Sequence, residues 1–220
     1  MSSQHSLNYP VFFGIDLTSS ENKPSACFGL DTNSEVIYLG FLRRNQDIIR
    51  WLRFYLPLIV AIDAPLTLPS GLCCLEESCS CRPNSPWKNR QCDRELRQLG
   101  IPCYPTTKKT FIKNLIYRGI ELRNAIKHKI EQVGQVIEIY PYASKVRLFG
   151  KNAPRKSTTE GLNFYRAKLQ EILPSLKPYC HILDHNLCDA AVAAYTALLH
   201  SRNHTILLGK SEEGLIIIPR

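Results

Sequence analysis

Four carboxylates stand where regular elements of this 220-residue chain should end or begin. Asp16 follows Phe12-Phe13-Gly14-Ile15, and Asp63 follows Ile59-Val60-Ala61-Ile62. Glu138 lies within Val136-Ile137-Glu138-Ile139, and Asp189 opens the run Ala190-Ala191-Val192-Ala193-Ala194. A carboxylate inside a buried apolar run is costly unless its charge is compensated. Neighbouring strands lie ~4.8 Å apart, so acids on adjacent parallel strands repel and raise one another's pKa. A divalent cation removes that penalty. Mg²⁺ or Mn²⁺ suits such a site, since Mg²⁺ takes a few carboxylates plus waters and substrate phosphates. The chemistry expected is metal-assisted phosphodiester hydrolysis. Asp16, Asp63 and Asp189 would be the metal ligands, with Glu138 a further ligand or the base for water. Each acid alone also fits a plain role, such as a turn or a helix cap; the combination is what points to a metal.

The elements that must position these acids follow from periodicity. Residues 11–17, 25–30 and 35–41 read as three strands, with the turn Asp31-Thr32-Asn33-Ser34 between the last two. Residues 45–55 carry helical spacing with Asn45 as cap. Residues 58–63 and 135–140 are short apolar runs of the kind found inside sheets. Helices are expected over 110–132, 160–172 and 186–201, and two short strands over 205–208 and 214–218. The stretch 64–109 is a Cys- and Pro-rich insertion without periodicity, apart from a short helix near Asp93–Leu99. The chain therefore reads as a single α/β domain, 1–220, with a mixed sheet flanked by helices.

Charge is concentrated. Residues 82–129 hold 12 Lys/Arg against 3 Asp/Glu, which accounts for the whole net charge of +9. A basic block beside an acidic metal site fits a polyanion, with nucleic acid the expected partner; the plainer reading is a solvated basic face. No window is long and apolar enough for a membrane span, and Met1–Pro10 lacks the pattern of a signal peptide. The expectation is a soluble, cytoplasmic protein. Its nine cysteines then argue against a disulfide framework. Those of the insertion suit thiolate coordination of zinc or an iron–sulfur cluster. Adjacent Cys73 and Cys74 rarely serve one tetrahedral ion, so the expected set is Cys73, Cys79, Cys81 and Cys92. Free reduced thiols remain the alternative. His185, near Asp184 and Asp189, reads as a surface or capping residue that could also assist proton transfer.

Six segments, taken in order, resemble a known family: Gly14-Ile15-Asp16, Ala61-Ile62-Asp63-Ala64-Pro65-Leu66, Cys92-Asp93-Arg94-Glu95-Leu96-Arg97, Glu138-Ile139-Tyr140-Pro141, Cys188-Asp189-Ala190-Ala191-Val192-Ala193-Ala194 and Glu213-Gly214-Leu215-Ile216-Ile217-Ile218-Pro219. They are similar to the serial motifs of the family numbered 429 among domains of unknown function, regarded as a predicted nuclease with a ribonuclease-H-like fold. The resemblance implies a five-stranded mixed sheet whose first and fourth strands are adjacent, with Asp16, Asp63, Glu138 and Asp189 near one metal. Arg94 and Arg97 are then assigned to phosphate or transition-state charge, because the guanidinium fork matches phosphate geometry; the plainer reading is a salt bridge with Glu95 or Asp93. Arg97, Lys108 and Lys109 would grip the substrate backbone. Two other classes stay open. One is a non-catalytic nucleic-acid or protein-binding module organised by the cysteine metal. The other is a nucleotide-binding ATPase-like fold, because Gly14-Ile15-Asp16-Leu17-Thr18 resembles a phosphate loop, although the chain is short for the duplicated domains of that class.

Overall fold

The computed structural model describes residues 10–220; residues 1–9, and with them most of the segment bearing on a signal peptide, lie outside the described residues. Seven strands form one mixed sheet: β1 (Val11–Asp16), β2 (Ser25–Asp31), β3 (Val36–Leu42), β4 (Ile59–Asp63), β5 (Gln135–Ile139), β6 (Thr205–Lys210) and β7 (Gly214–Pro219). Their order is β3-β2-β1-β4-β5-β7-β6. The first and fourth strands are adjacent and parallel, as expected. The expected count of five is corrected to seven: the tail hairpin β6–β7 extends the same sheet, with β7 running parallel to β5.

The six helices are α1 (Asn45–Tyr55), α2 (Gln91–Gln98), α3 (Lys113–Lys129), α4 (Pro141–Phe149), α5 (Thr159–Ile172) and α6 (His185–Ser201), with a 3₁₀ segment at Pro174–Ile182. Alternation divides the sheet into two faces. Phe12, Ala61, Ile137 and Ile139 pack against α5 and α6, whereas Phe13, Ile15, Val60 and Ile62 pack against α1 and α3. Among the described residues no helix is long and apolar enough to cross a membrane. Asn45 is not the cap of α1. Arg44 holds that position, and Asn45 is buried, with its Oδ1 accepting from Arg118 Nε at 3.0 Å.

α6 lies close to β1 at Gly14, where the helix presents Ala190, Ala193 and Ala194. A Cβ on Gly14 would stand 2.1 Å from the Ala190 carbonyl oxygen and 2.3 Å from the Ala194 nitrogen. Backbone cannot yield as a flexible side chain does. Gly14→Ala is therefore expected to cost about 3 kcal/mol, read as a lowered urea midpoint. Wild-type stability in that variant would mean that β1 and α6 are further apart than described.

Candidate active site

The parallel register sets Asp16 directly opposite Asp63 at the C-terminal ends of β1 and β4. Both side chains share the sheet face covered by α6, and Asp189 comes from the second turn of that helix. Asp184, not Asp189, caps it: the Leu187 N–H donates to Asp184 Oδ1 at 2.8 Å. The loop leaving Asp16 is pinned by the nearly buried Arg118 of α3. Its guanidinium donates to the carbonyls of Thr18 (2.9 Å), Ser20 (3.1 Å) and Arg43 (2.7 Å).

The three aspartates differ electrostatically. Burial, and then the Asp189 charge, push the Asp16 carboxyl up to about 7. Burial raises Asp63 well above the carboxylate range, with Asp16 and Asp189 adding to the effect. No hydrogen bond within the described residues relieves either group. Asp189 goes the other way. Burial would raise it, but Lys145 and Lys156 more than offset that and leave it below its ordinary value. Lys156 Nζ donates to Asp189 Oδ2 at 2.8 Å from the 150–158 loop. The buried Lys145 of α4 pairs with Oδ1 and lies 4.1 Å from the centre of the Tyr165 ring.

Two raised carboxyls side by side, without hydrogen-bond donors, suit a divalent cation. Among the described residues, three or more ligand atoms all within 4.8 Å of one another occur only in a cysteine group, so the three aspartates do not form a closed cage. Mg²⁺ commonly takes one or two carboxylates and completes its shell with water and phosphate. Asp16 and Asp63 fit that pattern; Asp189 is held by its lysines. Asp63 and Asp189 line a cleft of about 460 Å³ together with Tyr104, Tyr140, Lys145 and Lys156, and Asp16 neighbours Asp63 on the adjacent strand without lining it; the size suits a small ligand or one nucleotide.

A pH dependence follows. The carboxyls of Asp16 and Asp63 titrate near 4 in the unfolded chain and higher in the fold. The Asp16 contribution to stability is therefore fully present below about pH 4 and is lost as pH rises through about 7; Asp63, raised in the same direction, acts with the same sign. Asp189 has the opposite sign and acts only as pH falls into the acid range. Chelator-treated protein should lose on the order of 2 kcal/mol, about 5 °C in Tm, between pH 5 and pH 8. Mn²⁺ should restore more at pH 8 than at pH 5. A flat Tm with no pH-dependent response to Mn²⁺ would remove the coupled pair.

Glu138 is not brought to the aspartates. It pairs with Ile62 in register, one residue before Asp63, and so points to the opposite face. There it accepts from Arg90 Nη1 (2.8 Å) and Nη2 (2.7 Å) and from the Leu66 N–H (2.8 Å). Arg90 also binds Asp93 at 3.0 Å, and Asp93 accepts from the Thr106 N–H at 2.9 Å. The Cys92–Arg97 motif thus clamps the insertion onto the sheet. Arg94 donates to the Asn89 carbonyl at 2.7 Å and stacks over Trp87. Arg97 reaches only the Cys103 carbonyl. Neither touches the aspartates. The cations beside them are Lys145 and Lys156, which the sequence reading missed. Lys108 donates to the Cys79 carbonyl and, with Lys109, lines a different depression. His185, at the first turn of α6, has its pKa lowered by burial and then by Lys145.

The cysteine expectation is also corrected. Cys73, Cys74, Cys79 and Cys81 converge, while Cys92 is buried among Leu96, Ala143 and Ile216, away from that group. The path of the loop brings both members of the adjacent pair, Cys73 and Cys74, to the same group.

A family model described as "Protein of unknown function (DUF429)" matches residues 14–213. No match was found among curated proteins or solved structures.

Proposed function

We propose, from the premise that the chain belongs to the DUF429 family of proteins of unknown function, that it is a divalent-metal-dependent nuclease built on a ribonuclease-H-like core. One observation carries this reading: Asp16 and Asp63 stand in register on adjacent parallel strands, and Asp63 opens with Asp189 into a cleft of nucleotide size. The strand order β3-β2-β1-β4-β5, with only β2 antiparallel to its neighbours, supports the fold assignment.

Asp16 and Asp63 would hold the ion, Mg²⁺ or Mn²⁺, whose chemistry is to acidify bound water and neutralise phosphate charge. Asp189 keeps its charge against Lys145 and orients Lys156 at the cleft. The exposed Lys156 is free to exchange Asp189 for a substrate phosphate, and Lys151 and Arg155 on the same wall add positive charge. Tyr104 and Phe111 form an exposed edge-to-face pair, centroids 4.5 Å apart, on which bases can stack.

The test is a cleavage screen over labelled single-stranded, double-stranded and branched DNA and RNA, with Mg²⁺, Mn²⁺ or EDTA. Metal-dependent, EDTA-sensitive cleavage is expected. The rival reading, a non-catalytic binding module, draws on the two lysines already engaging Asp189. It predicts salt-sensitive binding and no cleavage in any arm, and that result would displace the nuclease.

A further inference from the structure

Between β4 and α2 the chain runs 27 residues, 64–90, without a helix or strand. A loop this long keeps one shape only if contacts or a cross-link offset its entropy. Its apolar anchoring is thin. Leu75 is fully buried, and its N–H donates to the Tyr117 hydroxyl at 2.7 Å. Glu76 accepts from the same hydroxyl at 2.9 Å and from Lys113 Nζ at 3.1 Å, both exposed contacts. The stretch after Leu75 contributes no further buried apolar side chain before α2.

Four thiols on either side of Leu75 converge. The Sγ atoms of Cys73, Cys74, Cys79 and Cys81 all lie within 4.8 Å of one another, and those of Cys73 and Cys79 are 3.6 Å apart. Zn–S bonds of ~2.3 Å in a tetrahedron require sulfurs ~3.8 Å apart. The observed spacing matches that and far exceeds a disulfide bond of ~2.05 Å. An iron–sulfur cluster distributes its thiolates over several irons and so needs them wider apart. Four thiolates closing on one point fit a single soft-ligand tetrahedral ion.

We propose that Cys73, Cys74, Cys79 and Cys81 bind one zinc ion, and that this ion is the cross-link that shapes the insertion. Four protein ligands leave no open position, so the site is structural. Four thiolates on Zn²⁺ carry two net negative charges, and cations surround them. Lys108 Nζ is tied to the Cys79 carbonyl, and Arg82, Lys88 and Lys109 line the adjoining depression of about 700 Å³. Binding of this ion orders the Trp87–Lys88 and Lys108–Lys109 wall. The site does not rest on the nuclease reading.

Elemental analysis of the full chain, purified under reducing conditions, should give one zinc per molecule and no stoichiometric iron. Replacement by Co²⁺ should give the intense visible bands of a tetrahedral tetrathiolate. Cys79→Ser and Cys74→Ser should each lower zinc content at least tenfold and expose residues 72–88 to limited proteolysis. Cys92→Ala should keep its zinc. Metal-free wild-type protein that takes up no Co²⁺ overturns the proposal, as does stoichiometric iron or a Cys73–Cys79 disulfide in freshly purified reduced protein. Loss of zinc in Cys92→Ala with retention in Cys74→Ser overturns the ligand assignment.

Discussion

Asp63→Asn is expected to abolish cleavage and, in the absence of divalent ions above pH 7, to make the protein more stable. The two effects share one cause. Asp63 stands against Asp16 and near Asp189, its carboxyl raised by burial and by both neighbours. Holding it as an anion costs folding energy that only a bound cation returns. An amide of the same shape removes the charge and that cost together. The gain should be about 1–2 kcal/mol at pH 8 in EDTA and smaller at pH 5, because the raised carboxyl of Asp63 carries its charge less as pH falls. The same amide cannot offer an anionic ligand. Cleavage should fall by at least ~10³-fold, in line with losing an electrostatic element aimed at the transition state. Paired urea titrations and single-turnover assays on one preparation read both. A variant that cleaves normally would sink the site. One that is inactive but also destabilised at pH 8 would show that Asp63 is a structural anion.

Glu138→Ala should behave in the reverse sense, unfolding the protein rather than disabling a folded enzyme. Glu138 and Arg90 are both almost wholly buried, with contacts of 2.7 and 2.8 Å between them. Removing the acid leaves a guanidinium with only Asp93 and the Thr67 hydroxyl as partners. Breaking one side of a buried pair typically costs 3–5 kcal/mol, here about 4 kcal/mol, a large part of a domain's total stability. Replacing the whole buried cluster, as Arg90→Met with Glu138→Leu and Asp93→Asn, should recover at least half of the loss, because the desolvation penalty of all three charges disappears and no carboxylate is left without its cation. Chemical denaturation of the single and triple variants measures this. A Glu138→Ala protein of wild-type stability that cannot cleave would return Glu138 to the chemistry and refute the structural role.

The sequence made the first part of this architecture readable and concealed the second for identifiable reasons. Asp16 and Asp63 each end a short run of buried residues, so their strands follow from apolar patterning, whereas the adjacency of those strands is what the family resemblance implies. Glu138 sits in a run apolar on both sides, where alternation carries no facial information. Its direction depends on how β5 registers with β4, a tertiary matter. The helix α4 was overlooked, although Pro141 at its start and Gly150 at its end are recognisable punctuation. With α4 went Lys145. Nothing local marks Lys145 or Lys156 as partners of a residue 44 and 33 positions away. Cys74 and Cys92 were exchanged because the ligand set depends on the path of a loop, which spacing alone does not fix. The tail strands were foreseen, but their place beside β5 was not, since strand order at a sheet edge is set by long-range pairing.

The bare meeting of Gly14 with the alanines of α6 has one more implication. Asp16 and Asp189 are spaced by main chain resting on main chain, with no layer of side chains between them to shrink or swell. Substitutions elsewhere in the interior can then accumulate while this distance stays fixed, as two rails bolted together keep their gauge whatever cargo rides above.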